Sequence, residues 1–343
     1  MNGKRRTLAF GLIGGIALAL AAPLAAANEN TLDPNHTKNG AVIRYLFTDA
    51  ALDACQSTVR ILGDGDEIAL GVVVDARGRI ITKASELRGK IVCRFKDGRD
   101  LPARVLAEYK PYDLALLQVD ASKLTPVKWS QEDDPPVGRW AVTPGLHGAP
   151  IAVGIISVPR RSIPVEKAVL GVSILDTQLG PLVKQVIEDS GADKAGLKSG
   201  DRIQTVAGKR IYSSTHLVEV VRGYEPGTPV KVAYERENNE VEVEVILGAP
   251  IPALLHPGSN DDQIARELSR RRADFPAVLQ HDAVLQPENC GGPLIDVKGN
   301  VIGLNIARAG RTGCYAIPAG EMPGIIAELK KSSQAKVSAG VAE

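Results

Sequence analysis

The sequence predicts a mainly β protein in which two runs of short strands flank a separate block of strands with two helices. Three observations predict it. Residues 55–160 and 276–330 break into short Val-, Ile- and Leu-rich runs separated by Gly-containing turns, the spacing of a barrel or sandwich. Between about 163 and 249 the pattern changes to strands interrupted by two helix signals. The 343 residues also exceed what one ordinary core organises, so two or three units are expected. Aromatics are only 4%, which leaves aliphatic side chains to fill the cores. A net charge of +1 gives no global electrostatic basis for binding nucleic acid or an acidic membrane surface.

The elements follow in order. Lys4, Arg5 and Arg6 precede an apolar run from Leu8 to Ala22, and Ala25-Ala26-Ala27 gives a small-residue cleavage pattern. Residues 1–27 therefore read as an export signal peptide, and membrane contact is expected only where it stays uncleaved. Residues 28–50 read as an N-terminal tail. Strands are expected at Ser57–Leu62, Ile68–Val74 and Arg79–Thr82, then a hairpin from Lys90 to Leu106. Further strands follow at Asp113–Val119, Trp140–Thr143 and Ala149–Val158, completing a unit over 51–162. The middle unit, 163–249, opens with a strand at Val169–Leu175. It contains a short helix near Gly191–Leu197, and a second over Ser214–Arg222 behind the start signals Ser213 and Ser214. The arm Glu240–Leu247 alternates Val with Glu, so one face meets water. Residues 250–275 read as a connector, with Arg270-Arg271-Arg272 as a solvated stretch. The β style returns over 276–331 and ends in a helix from about Met322 to Lys330. Residues 332–343 read as a loose tail. Four cysteines, Cys55, Cys93, Cys290 and Cys314, allow three full pairings and leave the choice open. No CxxC or Cys/His spacing suggests a metal, and nothing implies a cofactor.

Gln280-His281-Asp282-Ala283 and Pro287-Glu288-Asn289-Cys290-Gly291-Gly292-Pro293-Leu294 resemble the QTDA…PGNSGGPL run of HtrA-type trypsin-like serine proteases. Gly71–Thr82 and Asp113-Leu114-Ala115-Leu116-Leu117 resemble two upstream motifs of that family. Leu170-Gly171-Val172 and Gly191–Asp201 are similar to the carboxylate-binding loop and the GSPAxxAGLxxGD signature of its PDZ domains. The resemblance implies a trypsin-like double β-barrel. Here the PDZ-like block lies inside the protease domain, whereas in the family it usually follows the nucleophile motif.

Acyl transfer on such a scaffold needs an oriented base, a nucleophile and an oxyanion hole. The resemblance places the base at Ser85, which accepts no proton near neutral pH; a one-residue slip offers Ala84 or Glu86. Asp113 matches the orienting carboxylate. The nucleophile position holds Cys290, whose reactivity requires a thiolate. Glu288 stands where the family has the oxyanion-hole glycine, and a non-Gly residue resists φ > 0. His281 is an alternative base for Cys290. For peptide binding, Leu170, Gly171 and Val172 offer N–H groups, the strand with Ile174 offers an edge, and His216 and Val220 are placed to face the groove. The expected protein is exported to the periplasm or envelope. It binds extended or C-terminal peptides and unfolded envelope proteins, with a homo-oligomer left open, and is a pseudoprotease. The alternative is an endopeptidase using Cys290.

Overall fold

Two closed barrels form from strands that lie far apart in the chain. The computed structural model describes residues 33, 35, 37–132, 134–250, 268–310 and 312–340. The expected export signal at 1–27 and most of the expected connector lie outside the described residues. The first barrel comprises β1 (Thr58–Gly63), β2 (Asp66–Asp75), β3 (Arg79–Lys83), β4 (Ile91–Arg94), β5 (Asp100–Tyr109) and β6 (Leu114–Val119). They close in the order β1-β2-β3-β6-β5-β4. Strand β6 is almost continuously apolar because both of its faces are buried, and β3 likewise buries Ile80 and Ile81 on opposite faces. Ile80, Ala115 and Leu117 fill the barrel, whereas Ile81, Leu114 and Leu116 face a second cluster. This is the period-two alternation of a strand with two dry sides.

The second barrel joins β7 (Trp140–Thr143) and β8 (Ala152–Ile163) to β15 (Phe275–His281), β16 (Pro293–Ile295), β17 (Val301–Arg308) and β18 (Cys314–Pro318). Its order is β15-β18-β17-β16-β7-β8. The chain leaves it at Ile163 and returns at Phe275, and these two residues are paired. Everything between them therefore stands where a hairpin loop would. The inserted unit holds β9 (Val172–Thr177), β10 (Gly180–Val186), β11 (Arg202–Val206), β12 (Lys209–Arg210), β13 (Pro229–Arg236) and β14 (Asn239–Ile246). It also holds α3 (Gly191–Lys194) and α4 (Ser214–Arg222), whose cap Ser213 accepts a hydrogen bond from the His216 N–H. Its own ends are pinned by reciprocal Val169–Gly248 backbone hydrogen bonds, both 2.9 Å.

Several expectations change. Residues 41–57 carry two helices: α1 (Ala41–Tyr45) and α2 (Thr48–Ser57) occupy the end of the supposed tail. Ala51, Ala54 and Cys55 share one face of α2 and bury it against Val142, Val153 and Ile295 of the second barrel. The last helix, α5 (Met322–Gly340), continues through most of the supposed C-terminal tail. Strand β10 was not expected, because Gly180 and Pro181 open it. All four cysteines are buried free thiols, and burial pushes Cys93 and Cys314 up to about 12.

The barrels meet in one apolar cluster. Val72, Leu114 and Leu116 of the first pack with Phe275, Leu304 and Ile317 of the second and with Met322, Ile325 and Leu329 of α5. Phe275 is 1% exposed at the point where the chain re-enters the barrel. Phe275→Ala is expected to lower unfolding free energy by about 3–5 kcal/mol in urea titrations, the usual cost of a large buried cavity.

Candidate functional site

Strands β3 and β6 set the first half of the site. They pair Lys83 with Leu114, which brings Ser85 beside Asp113. Asp113 ends a 3-10 turn with φ +56°, the left-handed region, and its carbonyl accepts the Ala84 N–H at 2.8 Å. The Asp113 Oδ1 accepts the Ser85 N–H at 2.9 Å and Oδ2 accepts the Ser85 hydroxyl at 2.7 Å. Lys83 is completely buried beside them. Its Nζ lies 3.7 Å from Asp113 Oδ2 and 3.6 Å from Glu86 Oε1, and donates to the Arg271 carbonyl at 2.9 Å. Burial raises the Asp113 carboxyl above its ordinary value, and Lys83 and Ser85 oppose that rise. The hydroxyl can orient but cannot serve as a base, and Glu86 is committed to Lys83 and to Arg270.

The second half is the loop before β16. Pro287–Asn289 form a 3-10 turn, and the Cys290 N–H donates back to the Pro287 carbonyl at 3.0 Å. The Cys290 amide is thus spent inside its own turn. Glu288 lies within the turn and has no positive φ, in keeping with its side chain. Its carbonyl accepts from Arg60 Nη1 at 2.8 Å, and the same nitrogen reaches Asn289 Oδ1 at 3.1 Å. Gly291 follows with φ +93°, and a Cβ there would collide with the Leu70 carbonyl. Cys290 itself is fully buried. Its thiol is raised by burial, with the Lys83 charge opposing, so the neutral form is favoured.

His281 makes no hydrogen bond to this centre. It lies in β15 with no exposed surface, and neither ring nitrogen makes a hydrogen bond. No Cys290–His281 hydrogen bond therefore forms. Burial pulls the imidazole down to about 4, although Asn305 and Asp282 favour its protonated form. The arginine run corrects a sequence expectation most clearly. Arg271 and Arg272 are held by the protein; Arg271 donates to the carbonyls of Lys110 and Pro111 and lies over the Phe275 ring. Arg272 pairs with Glu166 at 3.0 Å. Carbonyls and a carboxylate supplied from distant chain positions account for this, and the run alone gives no sign of them. Sequence reasoning also missed Lys83 and Arg60. A lysine directly after the run Ile80-Ile81-Thr82 was the available signal for Lys83. A cleft of about 290 Å³ lies alongside, lined by Glu67, Glu86 and Glu288 together with Arg88 and Arg270.

The inserted unit presents a different surface. Strand β9 is the edge of its sheet. Among the described residues, neither the Leu170 nor the Gly171 N–H donates to another backbone group. Gly171 has φ +90°, and a Cβ would strike the Ser190 side chain. Val172 and Ile174 pack partly against the local core. His216 stacks on Tyr212 with ring centroids 5.6 Å apart, whereas Val220 is buried in that core, 7% exposed. Asp176 accepts the Ser214 N–H at 2.6 Å and the Ser214 hydroxyl at 2.7 Å, tying the far end of β9 to the start of α4. A free edge, two unpaired N–H groups and a neighbouring helix fit strand addition by a peptide.

Residues 69–163 match the family model of the trypsin-like peptidase domain, and residues 168–247 match that of the PDZ domain. The chain is 25% identical over 270 residues to a probable periplasmic serine endoprotease DegP-like from Ectopseudomonas mendocina (strain ymp), covering 54% of this chain and 57% of the relative. It is also 25% identical over 265 residues to the periplasmic pH-dependent serine endoprotease DegQ of Escherichia coli (strain K12), covering 52% and 58%. The chain thus spans less than two thirds of the length of these curated relatives. A solved serine endoprotease from Yersinia pestis aligns at TM-score 0.29 and 19% identity, over 60% of this chain and 98% of that one.

The buried His281 predicts an acid sensitivity with a defined window. Its folded value of about 4 lies below the ordinary 6.5, so the unfolded chain takes up the proton first and stability falls as pH drops between them. Urea titrations at pH 7.5 and 4.5 are expected to show a loss about 2–3 kcal/mol larger for the parent than for His281→Thr. The depressed carboxyl of Asp282, held by Lys38, contributes a separate loss below the ordinary carboxylate range.

Proposed function

We propose that this chain, an HtrA-type protein combining a trypsin-like peptidase domain with a PDZ domain, is an exported peptide-binding protein whose trypsin-like cleft does not turn substrate over. One observation carries the reading: both Asp113 oxygens are taken by Ser85, at 2.9 and 2.7 Å, where catalysis needs an imidazole. Two others support it. The thiol of Cys290 is buried and shifted toward its neutral form, and its amide is engaged by Pro287. Loss of a triad base costs up to about 10⁶ in rate in a comparable enzyme, and loss of an oxyanion donor costs about 10²–10³.

The binding function rests on the PDZ edge. An extended or C-terminal peptide would pair with β9 while its carboxylate meets the Leu170–Val172 loop. Unfolded envelope proteins are the substrate class that such a site and the leader favour. The basic-then-apolar leader and the periplasmic naming of the relatives support a periplasmic location. Chemistry at Cys290 with His281 as base is disfavoured, because the thiol contacts Ser269 and the Gln286 carbonyl and no hydrogen bond joins it to the imidazole.

Two measurements test this reading. Labelled casein incubated with the parent and with Asp113→Ala is expected to give rates within twofold of each other; a drop of tenfold or more in the variant overturns it. In calorimetric titrations with apolar C-terminal peptides, Gly171→Ala is expected to weaken binding at least tenfold, about 1.4 kcal/mol.

A further inference from the structure

We propose that the cleft between the barrels is a second peptide site, filled in cis by Leu268–Arg271, and that it accepts an extended basic peptide in trans when this segment is displaced. The inference goes beyond the PDZ reading and does not depend on it.

Ser269 is the centre of the contact. Its N–H donates to the Arg308 carbonyl at 3.0 Å, and its Oγ accepts the Arg308 N–H at 2.9 Å. Both backbone groups at the end of β17 are thereby met by one residue of the segment. A carbonyl of an incoming strand would accept from the Arg308 N–H as well as this hydroxyl does, so the segment occupies a strand-accepting position. The same Oγ sits 3.8 Å from Cys290 Sγ, and both residues are completely buried. Ser269 therefore covers the thiol at the point where a bound peptide would cross it.

The flanking contacts define the ligand chemistry. The Arg270 N–H donates to Glu86 Oε1 at 3.3 Å, and its guanidinium lies 3.7 Å from Glu86 Oε2 while remaining largely exposed. The Arg271 carbonyl receives the buried Lys83 ammonium at 2.9 Å. With Arg270 withdrawn, the cleft wall keeps Glu67, Glu86 and Glu288 against Arg88, and Arg60 is engaged with Glu67 and the Glu288 carbonyl. A small residue over Cys290 followed by basic residues is the pattern that this lining complements. The next residue, Arg272, leaves the cleft and pairs with Glu166 and the Pro250 carbonyl, one on each flank of the inserted unit. Movement of that unit would act directly on the occupant.

Reaction of the full chain with N-ethylmaleimide, resolved by peptide mapping, tests the proposal. Cys93, buried inside the first barrel, is the internal reference. In Ser269→Ala/Arg270→Ala, Cys290 is expected to label at least tenfold faster than in the parent with Cys93 unchanged. Glu86→Gln, which leaves the segment intact, is expected to accelerate Cys290 a few-fold. A synthetic peptide of residues 268–273 added to the double variant is expected to slow Cys290 labelling at least fivefold, and a version with glutamates for its arginines is not. Labelling as slow as in the parent, acceleration shared by Cys93, or equal protection by the acidic peptide overturns the proposal.

Discussion

The pairing of Ile163 with Phe275 governs how the rest of this chain is arranged. An insertion leaves a barrel intact when its two ends stay close, and β8 and β15 are paired neighbours. Phe275 belongs to the apolar cluster between the barrels. The residues just before it must therefore approach through the region where the barrels face each other. That is why Leu268–Asp274, a stretch with three arginines, lies against Lys83, Glu86 and Cys290. Insertion point and cleft occupancy are two results of one strand pairing.

A buried ammonium sits at the centre of that cleft. Removing Lys83 from water is costly unless opposite charge and good acceptors meet it. Asp113, Glu86 and the Arg271 carbonyl supply them. The same network draws in Ser85, which donates twice to Asp113, while Arg60 pins the loop before Cys290. Each contact is ordinary by itself. Together they link Lys83, Asp113, Ser85 and Glu86 into one polar network under the cleft.

The barrels and the PDZ unit were legible in the sequence because their signals are local. Turn glycines, period-two alternation in β14 and the Ser213 cap of α4 each act within a few residues. The expectations for Ser85, Cys290 and Glu288 rest on local motifs in the same way. Helix α2 was missed because its buried face is made of Ala51, Ala54 and Cys55, small residues that give little hydrophobic contrast. The arginine run was misread because its partners, the carbonyls of Lys110 and Pro111 and the carboxylate of Glu166, come from distant parts of the chain. Charged residues are rarely buried without such partners, and partners of that kind have no signature in sequence. The environment of His281 was hidden likewise, since the residues that dry it arrive through barrel closure.

The doubly pinned insert also changes the entropy of closing the second barrel. The second barrel does not have to bring together the ends of a free coil running from 164 to 274. Once Val169 and Gly248 are joined, only 164–168 and 249–274 remain to be constrained. Closure entropy grows with the logarithm of loop length, so this shortening lowers the penalty by about 1 kcal/mol. The inserted domain, by folding first, would act as a splint for the barrel that surrounds it.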